Sequence, residues 1–97
     1  MRHRYLVAYD VTEPRRLRRV YKKMCGYGDP VQYSVFSCDL SDVERTLMKQ
    51  AIADLMNLAE DRLMIADLGP VNGRAASAID FLGATWEPLP DAEALIV

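Results

Sequence analysis

The residue in this sequence best placed for chemistry is Asp10. It closes the apolar run Arg4-Tyr5-Leu6-Val7-Ala8-Tyr9 and precedes Thr12-Glu13-Pro14. A strand end is a rigid point from which a carboxylate projects at a sheet edge. There it either holds a divalent ion or serves as an Asx-type turn or cap for the next helix. One carboxylate is a sparse ligand set for magnesium, which prefers octahedral oxygen coordination from one or two carboxylates together with waters and phosphates. A two-fold axis beside Asp10 would supply the second copy. Two facing carboxylates would repel each other, and magnesium would relieve that repulsion while polarising a phosphodiester or a water.

Downstream lie Arg15, Arg16, Arg18, Arg19, Lys22 and Lys23. Arg15, Arg18, Arg19 and Lys22 fall at i, i+3, i+4 and i+7, which lines them along one side of a helix. Such a run is either a solvated helix face or, since almost no acid interrupts it, a strip for phosphate contact whose binding falls steeply with salt. Most of the aromatic residues read as core; Tyr9 and Phe36 are the two candidates for contact with substrate or a partner. His3, the only histidine, reads as an exposed terminal side chain. Cys25 and Cys38 lack ligand spacing and read as free, buried thiols. The absence of a glycine-rich phosphate loop and of zinc-ligand spacing counts against nucleotide hydrolases and zinc nucleases.

The elements that must position these groups follow from periodicity. Residues 4–9 form an apolar run with the character of a central strand buried on both faces. Thr12-Glu13-Pro14 supplies a cap and a first-turn proline, so a helix begins near residue 13, with Leu17, Val20, Tyr21 and Met24 inward and Gly26 and Gly28 stopping it. Between Val31 and Leu40 the alternation changes phase at Val35-Phe36, which predicts a bulge, a kink or a split into two strands. Ser41-Asp42-Val43-Glu44 is a capping box. It opens a helix with Val43, Leu47, Ala51, Ile52, Leu55 and Leu58 inward, ending near residues 57–60. Arg62 to Leu68 reads as a strand closed by Gly69-Pro70, residues 71–76 as a loop and Ala78 to Leu82 as a further strand. Pro88-Leu89-Pro90 reads as a spacer before the apolar end Leu95-Ile96-Val97, which pairing with a second subunit would explain.

This order predicts an α+β, ferredoxin-like sandwich with two helices on one face of a mainly antiparallel sheet of four to five strands. At 97 residues the chain reads as a single domain over 1–97. No apolar run approaches membrane-spanning length and no secretory signal is visible, so a cytoplasmic location is expected. The net charge of -2 divides unevenly: residues 1–40 carry eight Lys or Arg against four Asp or Glu, and residues 41–97 carry four against ten. One basic face can therefore bind phosphate while the rest of the surface is acidic.

Tyr-Leu-Val-Ala-Tyr-Asp-Val at 5–11, Arg-Arg-Leu-Arg-Arg-Val at 15–20 and Val-Gln-Tyr-Ser-Val-Phe-Ser-Cys-Asp-Leu at 31–40 resemble the signature of the small CRISPR-associated Cas2 family. Arg62 to Gly69 and Ala78 to Gly83 are similar to its later strands, so the resemblance covers nearly the whole chain. It implies a homodimer in which the two Asp10 share one magnesium ion. It also implies a place in CRISPR spacer acquisition beside an integrase partner, with DNA and in some members RNA as ligand. Some members resemble metal-dependent endonucleases acting on single-stranded RNA or duplex DNA, and others serve as scaffold. Arg16, Arg19 and Phe36 match positions that the family associates with activity or nucleic-acid contact. Pro30 stands where the family often carries a basic residue, which removes one potential phosphate contact. Three functions follow in order of expectation: a magnesium-binding adaptation protein with endonuclease activity, a non-catalytic adaptor holding spacer DNA, and a stand-alone toxin-like endoribonuclease. A small-molecule sensor of the same fold stands last.

Overall fold

The computed structural model describes residues 1–84. In chain order the elements are β1 His3–Asp10, α1 Pro14–Met24, β2 Asp29–Gln32, β3 Val35–Leu40, α2 Asp42–Ala53 and β4 Arg62–Pro70, followed by a short 3-10 turn at Arg74–Ser77. The four strands form one antiparallel sheet in the order β2-β3-β1-β4, with β1 in the middle. Both helices pack on one face, a ferredoxin-like α+β arrangement. Tyr5, Val7 and Tyr9 of β1, and Phe36, Cys38 and Leu40 of β3, meet Val20, Tyr21 and Met24 of α1 and Met48 and Ile52 of α2 in a single core.

Local chemistry explains each element. Glu13 caps α1, its carboxylate accepting from the Arg15 and Arg16 amides, and Pro14 occupies the first turn where no amide donor is needed. The change of phase at Val35-Phe36 is resolved as a split. The chain turns at Tyr33-Ser34 into a β2–β3 hairpin, and a register shift between Pro30 and Gln32 absorbs the mismatch. The Ser41 hydroxyl accepts from the Glu44 amide and the Glu44 carboxylate from the Ser41 amide, completing the capping box of α2. Gly28 sits so close to β3 that a Cβ would strike the Ser37 carbonyl and the Cys38 sulfur.

The structure corrects several expectations. Ile52 is buried and Leu55 packs against the core as expected, but Met48 completes the inward side of α2, while Val43 and Leu47, and Leu58 beyond the helix, point to solvent. The capping box fixes the rotation of the first turn, and the guanidinium of Arg45, not Val43, then lies over the Tyr5 ring, its Cζ 5.7 Å from the ring centre. Helix α2 stops at Ala53 because residues 57–61 are committed to a turn in which the Asn57 and Asp61 amides close on their neighbours. Residues 78–82 form no strand. The 3-10 turn buries Ala75 and redirects the chain, and Phe81 and Leu82, 70% and 104% exposed, find no ladder on either sheet edge. Strand β1 is buried on its helix-facing side only. His3 is part of β1, its Nδ1 2.9 Å from Asp67. Both cysteines are free, but Cys25 is exposed and only Cys38 is buried, its thiol pushed up to about 12 chiefly by burial. The segments at 88–90 and 95–97 lie outside the described residues. Among the described residues no helix is long and apolar enough to cross a membrane.

Candidate functional site

Alternation along β1 sends Tyr5, Val7 and Tyr9 into the core, so Arg4, Leu6, Ala8 and Asp10 occupy the face that neither α1 nor α2 covers. The antiparallel register places Ser37 opposite Leu6 and Val35 opposite Ala8 on one side, and Ala66, Met64 and Arg62 opposite Leu6, Ala8 and Asp10 on the other. The uncovered face is thus apolar at its centre, where Met64 is 58% exposed, and charged at both ends. Asp10 and Arg62 mark one end; Arg4 and Asp39, joined at 2.8 Å, mark the other.

The carboxylate of Asp10 projects from this face and accepts nothing from the backbone of the following turn. Glu13 does the capping that Asp10 might have supplied. The partner of Asp10 is Arg62, whose Nη2 lies 3.4 Å away, with side chains 65% and 84% exposed respectively. A shallow depression of about 240 Å³ lined by Ala8, Tyr9, Asp10, Arg62, Leu63 and Met64 surrounds the pair. Among the described residues no three side chains of metal-ligating type gather in one place. The described residues therefore offer a single solvated carboxylate here. That fits a magnesium ion taking one or two carboxylates and completing its shell with waters, phosphates or the same residue of a second copy.

What holds Asp10 in place is its neighbour in the turn. Asp61, buried, accepts from the Thr12 and Asn57 amides at 3.1 and 2.9 Å and binds the Arg16 guanidinium in a fork at 2.9 and 3.2 Å. The Arg16 guanidinium, helped by the Asn57 and Thr12 amides, holds the Asp61 carboxyl well below the usual carboxylate range despite its burial. Asp61 thereby ties residues 12–16 to the start of β4, one residue from Arg62, just beyond the end of β1.

The basic residues of α1 divide accordingly. Arg15, Arg19 and Lys22 are exposed, and Arg19, Lys22 and Lys23 line an open groove of about 510 Å³ with Gly26 and Leu55. Arg18 is half-buried, with its Nε shielded from solvent. Arg16 is held by Asp61 and stands apart from the solvated row. Tyr9 and Phe36 also depart from expectation. Both sit in the core, where their rings stack at 6.2 Å, the Tyr9 hydroxyl reaches the Tyr33 carbonyl, and Phe36 meets the edge of Tyr21 at 5.4 Å. Alternation explains this, because Tyr9 has the parity opposite to Asp10 and Phe36 pairs with inward-facing Val7. Neither ring is presented to a substrate. Two residues important to the site, Arg62 and Asp61, have no sequence signal of their own, since only the register of β4 against β1 reveals them.

Comparison with known proteins agrees with this geometry. Residues 1–72 match the family described as CRISPR associated protein Cas2. A Geobacter sulfurreducens protein named CRISPR-associated endoribonuclease Cas2 is 39% identical over 92% of this chain and 93% of its own length. A Rhodospirillum rubrum protein named CRISPR-associated endoribonuclease Cas2 1 is 39% identical over 98% and 91%. The crystal structure of Streptococcus pyogenes Cas2 superposes with a TM-score of 0.72 at 30% identity, covering 82% of this chain and 99% of that one. A Thermus thermophilus protein described as hypothetical gives a TM-score of 0.74 at 31% identity, covering 94% and 100%. Sequence and fold agree, and the chain belongs to the Cas2 family of CRISPR-associated proteins.

Proposed function

We propose that this chain is a magnesium-dependent endonuclease acting on phosphodiester bonds of single-stranded RNA or duplex DNA, working as a homodimer in CRISPR spacer acquisition beside an integrase partner. The observation that carries the reading is the solvated Asp10 carboxylate at the charged end of an apolar sheet face that neither α1 nor α2 covers. The relatives named as endoribonucleases support the reaction class.

A second copy is the occupant that suits the uncovered face. Leu6, Ala8, Val35, Met64 and Ala66 offer it an apolar centre, and a second copy of Asp10 would give the metal site a second carboxylate. When bound, magnesium would neutralise phosphate charge and polarise the scissile group or an attacking water. The protein's own share is positional: Asp10 of each subunit would fix the ion, and Arg15, Arg19 and Lys22 would hold the nucleic-acid backbone by phosphate contact.

Cleavage of a labelled single-stranded RNA and a labelled duplex DNA by wild type and Asp10→Asn, with magnesium and with a chelator, tests the reading. Loss of cleavage of 100-fold or more in the variant and in the chelator is expected. The second reading, a non-catalytic adaptor that holds spacer DNA, is favoured by one observation: Arg16 and Phe36 are spent on the fold. Equal traces of cleavage by wild type and variant, with spacer integration unimpaired by Asp10→Asn, would establish it instead.

A further inference from the structure

Among the described residues Arg62 is the basic residue set directly against Asp10, and its bond is longer than the tightest contact that Arg2, Arg4 or Arg16 makes to a carboxylate. Arg2 meets Glu44, Arg4 meets Asp39 and Arg16 meets Asp61 at 2.7, 2.8 and 2.9 Å, whereas Arg62 stands at 3.4 Å from Asp10, closer in kind to the loose 3.9 Å contact that Arg16 makes with Glu60. Both its members are largely exposed, and among the described residues Arg62 makes no other ion pair or hydrogen bond. A pair this loose and this solvated holds with little free energy, and the guanidinium swings on its long stem without disturbing β4. It nevertheless occupies the electrostatic position that a divalent cation on Asp10 would take.

We propose that Arg62 is the resident counter-ion of Asp10, displaced when a divalent cation binds, and that the released guanidinium then takes a phosphate of the nucleic acid. This rests on the reading of Asp10 as a metal ligand. In a dimer joined at this face, two Asp10 and two Arg62 form a neutral group, so subunits associate without metal and without leaving two carboxylates face to face. Metal entry replaces the arginine charge at the carboxylates and leaves two planar cations, each suited to bidentate phosphate binding, at the rim of the same depression. Metal and phosphate binding are thereby coupled, each favouring the other.

Calorimetric titration of magnesium into the whole chain, at fixed low ionic strength, tests the first half. Removing an exposed competing cation in Arg62→Gln should tighten magnesium binding by roughly two- to fivefold, while Arg62→Lys stays near wild type. Binding of a phosphorothioate single-stranded oligonucleotide tests the second half. Arg62→Gln should bind it as wild type does without metal and more weakly than wild type with magnesium. Unchanged or weaker magnesium binding by Arg62→Gln would overturn the proposal, as would an oligonucleotide defect of the same size with and without metal. Failure of the underlying metal reading has a separate signature, equal magnesium binding by wild type and Asp10→Asn.

Discussion

At the scale of single residues, the cations of α1 perform two kinds of work. Arg16 is bound to Asp61 inside the turn that positions Asp10, and Arg19 lines an open groove. Arg16→Ala strands a buried carboxylate and should lower Tm by about 10 °C or more. Arg19→Ala should leave Tm within about 2 °C and instead weaken oligonucleotide binding, reducing the dependence of log K on log salt by about one unit. Thermal melts and a salt titration of the two variants separate these roles. Asp61 also makes acid stability a local property. Its folded value is depressed, so its contribution is complete above the ordinary carboxylate range near pH 4 and disappears as pH falls through the lower folded value. Denaturation curves between pH 2 and 6 should therefore show a shallower acid loss for Asp61→Asn than for wild type, from a lower starting stability. The place of Asp10 at the end of β1 was legible in sequence because a polar residue closing a strand before a helix stands out. Asp61 and Arg62 were not, because each matters only through a partner about 50 positions away.

At the scale of elements, sequence signals were strongest where a boundary is set by local hydrogen bonding. The α2 capping box was readable as Ser41-x-x-Glu44, and Ser41→Ala should cost about 1 kcal/mol in chemical denaturation. The β2–β3 split was readable as a phase change at Val35-Phe36. The inward face of α2 was legible at Ile52 and at Leu55 just beyond it, but not at Met48, because Val43 and Leu47 recur at i+4 spacing as persuasively and only the docking angle chooses between them. The same limit applies to Ala78 to Leu82. Its apolar alternation suits a strand, but a strand needs a neighbouring edge, and composition does not report whether one is within reach. Tyr9 and Phe36 were misplaced for a related reason: the faces of β1 and β3 follow from pairing parity, which places both rings among the helices.

At the scale of the whole molecule, the uncovered sheet face links fold and function. A sheet with helices on one side leaves the other to water or to a partner, and here that side carries an apolar centre with Asp10 at its rim. A charge placed at the centre should prevent association while leaving the helix-side core intact. Met64→Asp should therefore convert a dimer to a monomer in analytical ultracentrifugation with little change in helical circular dichroism. The central claim is that one divalent ion is held jointly by two copies of Asp10. Isothermal titration of magnesium into the chain, with the subunit state fixed by sedimentation in the same buffer, tests this most directly. The account predicts one ion for every two chains in wild type and none for Asp10→Asn; one ion per chain, or binding unaltered by the substitution, would contradict it.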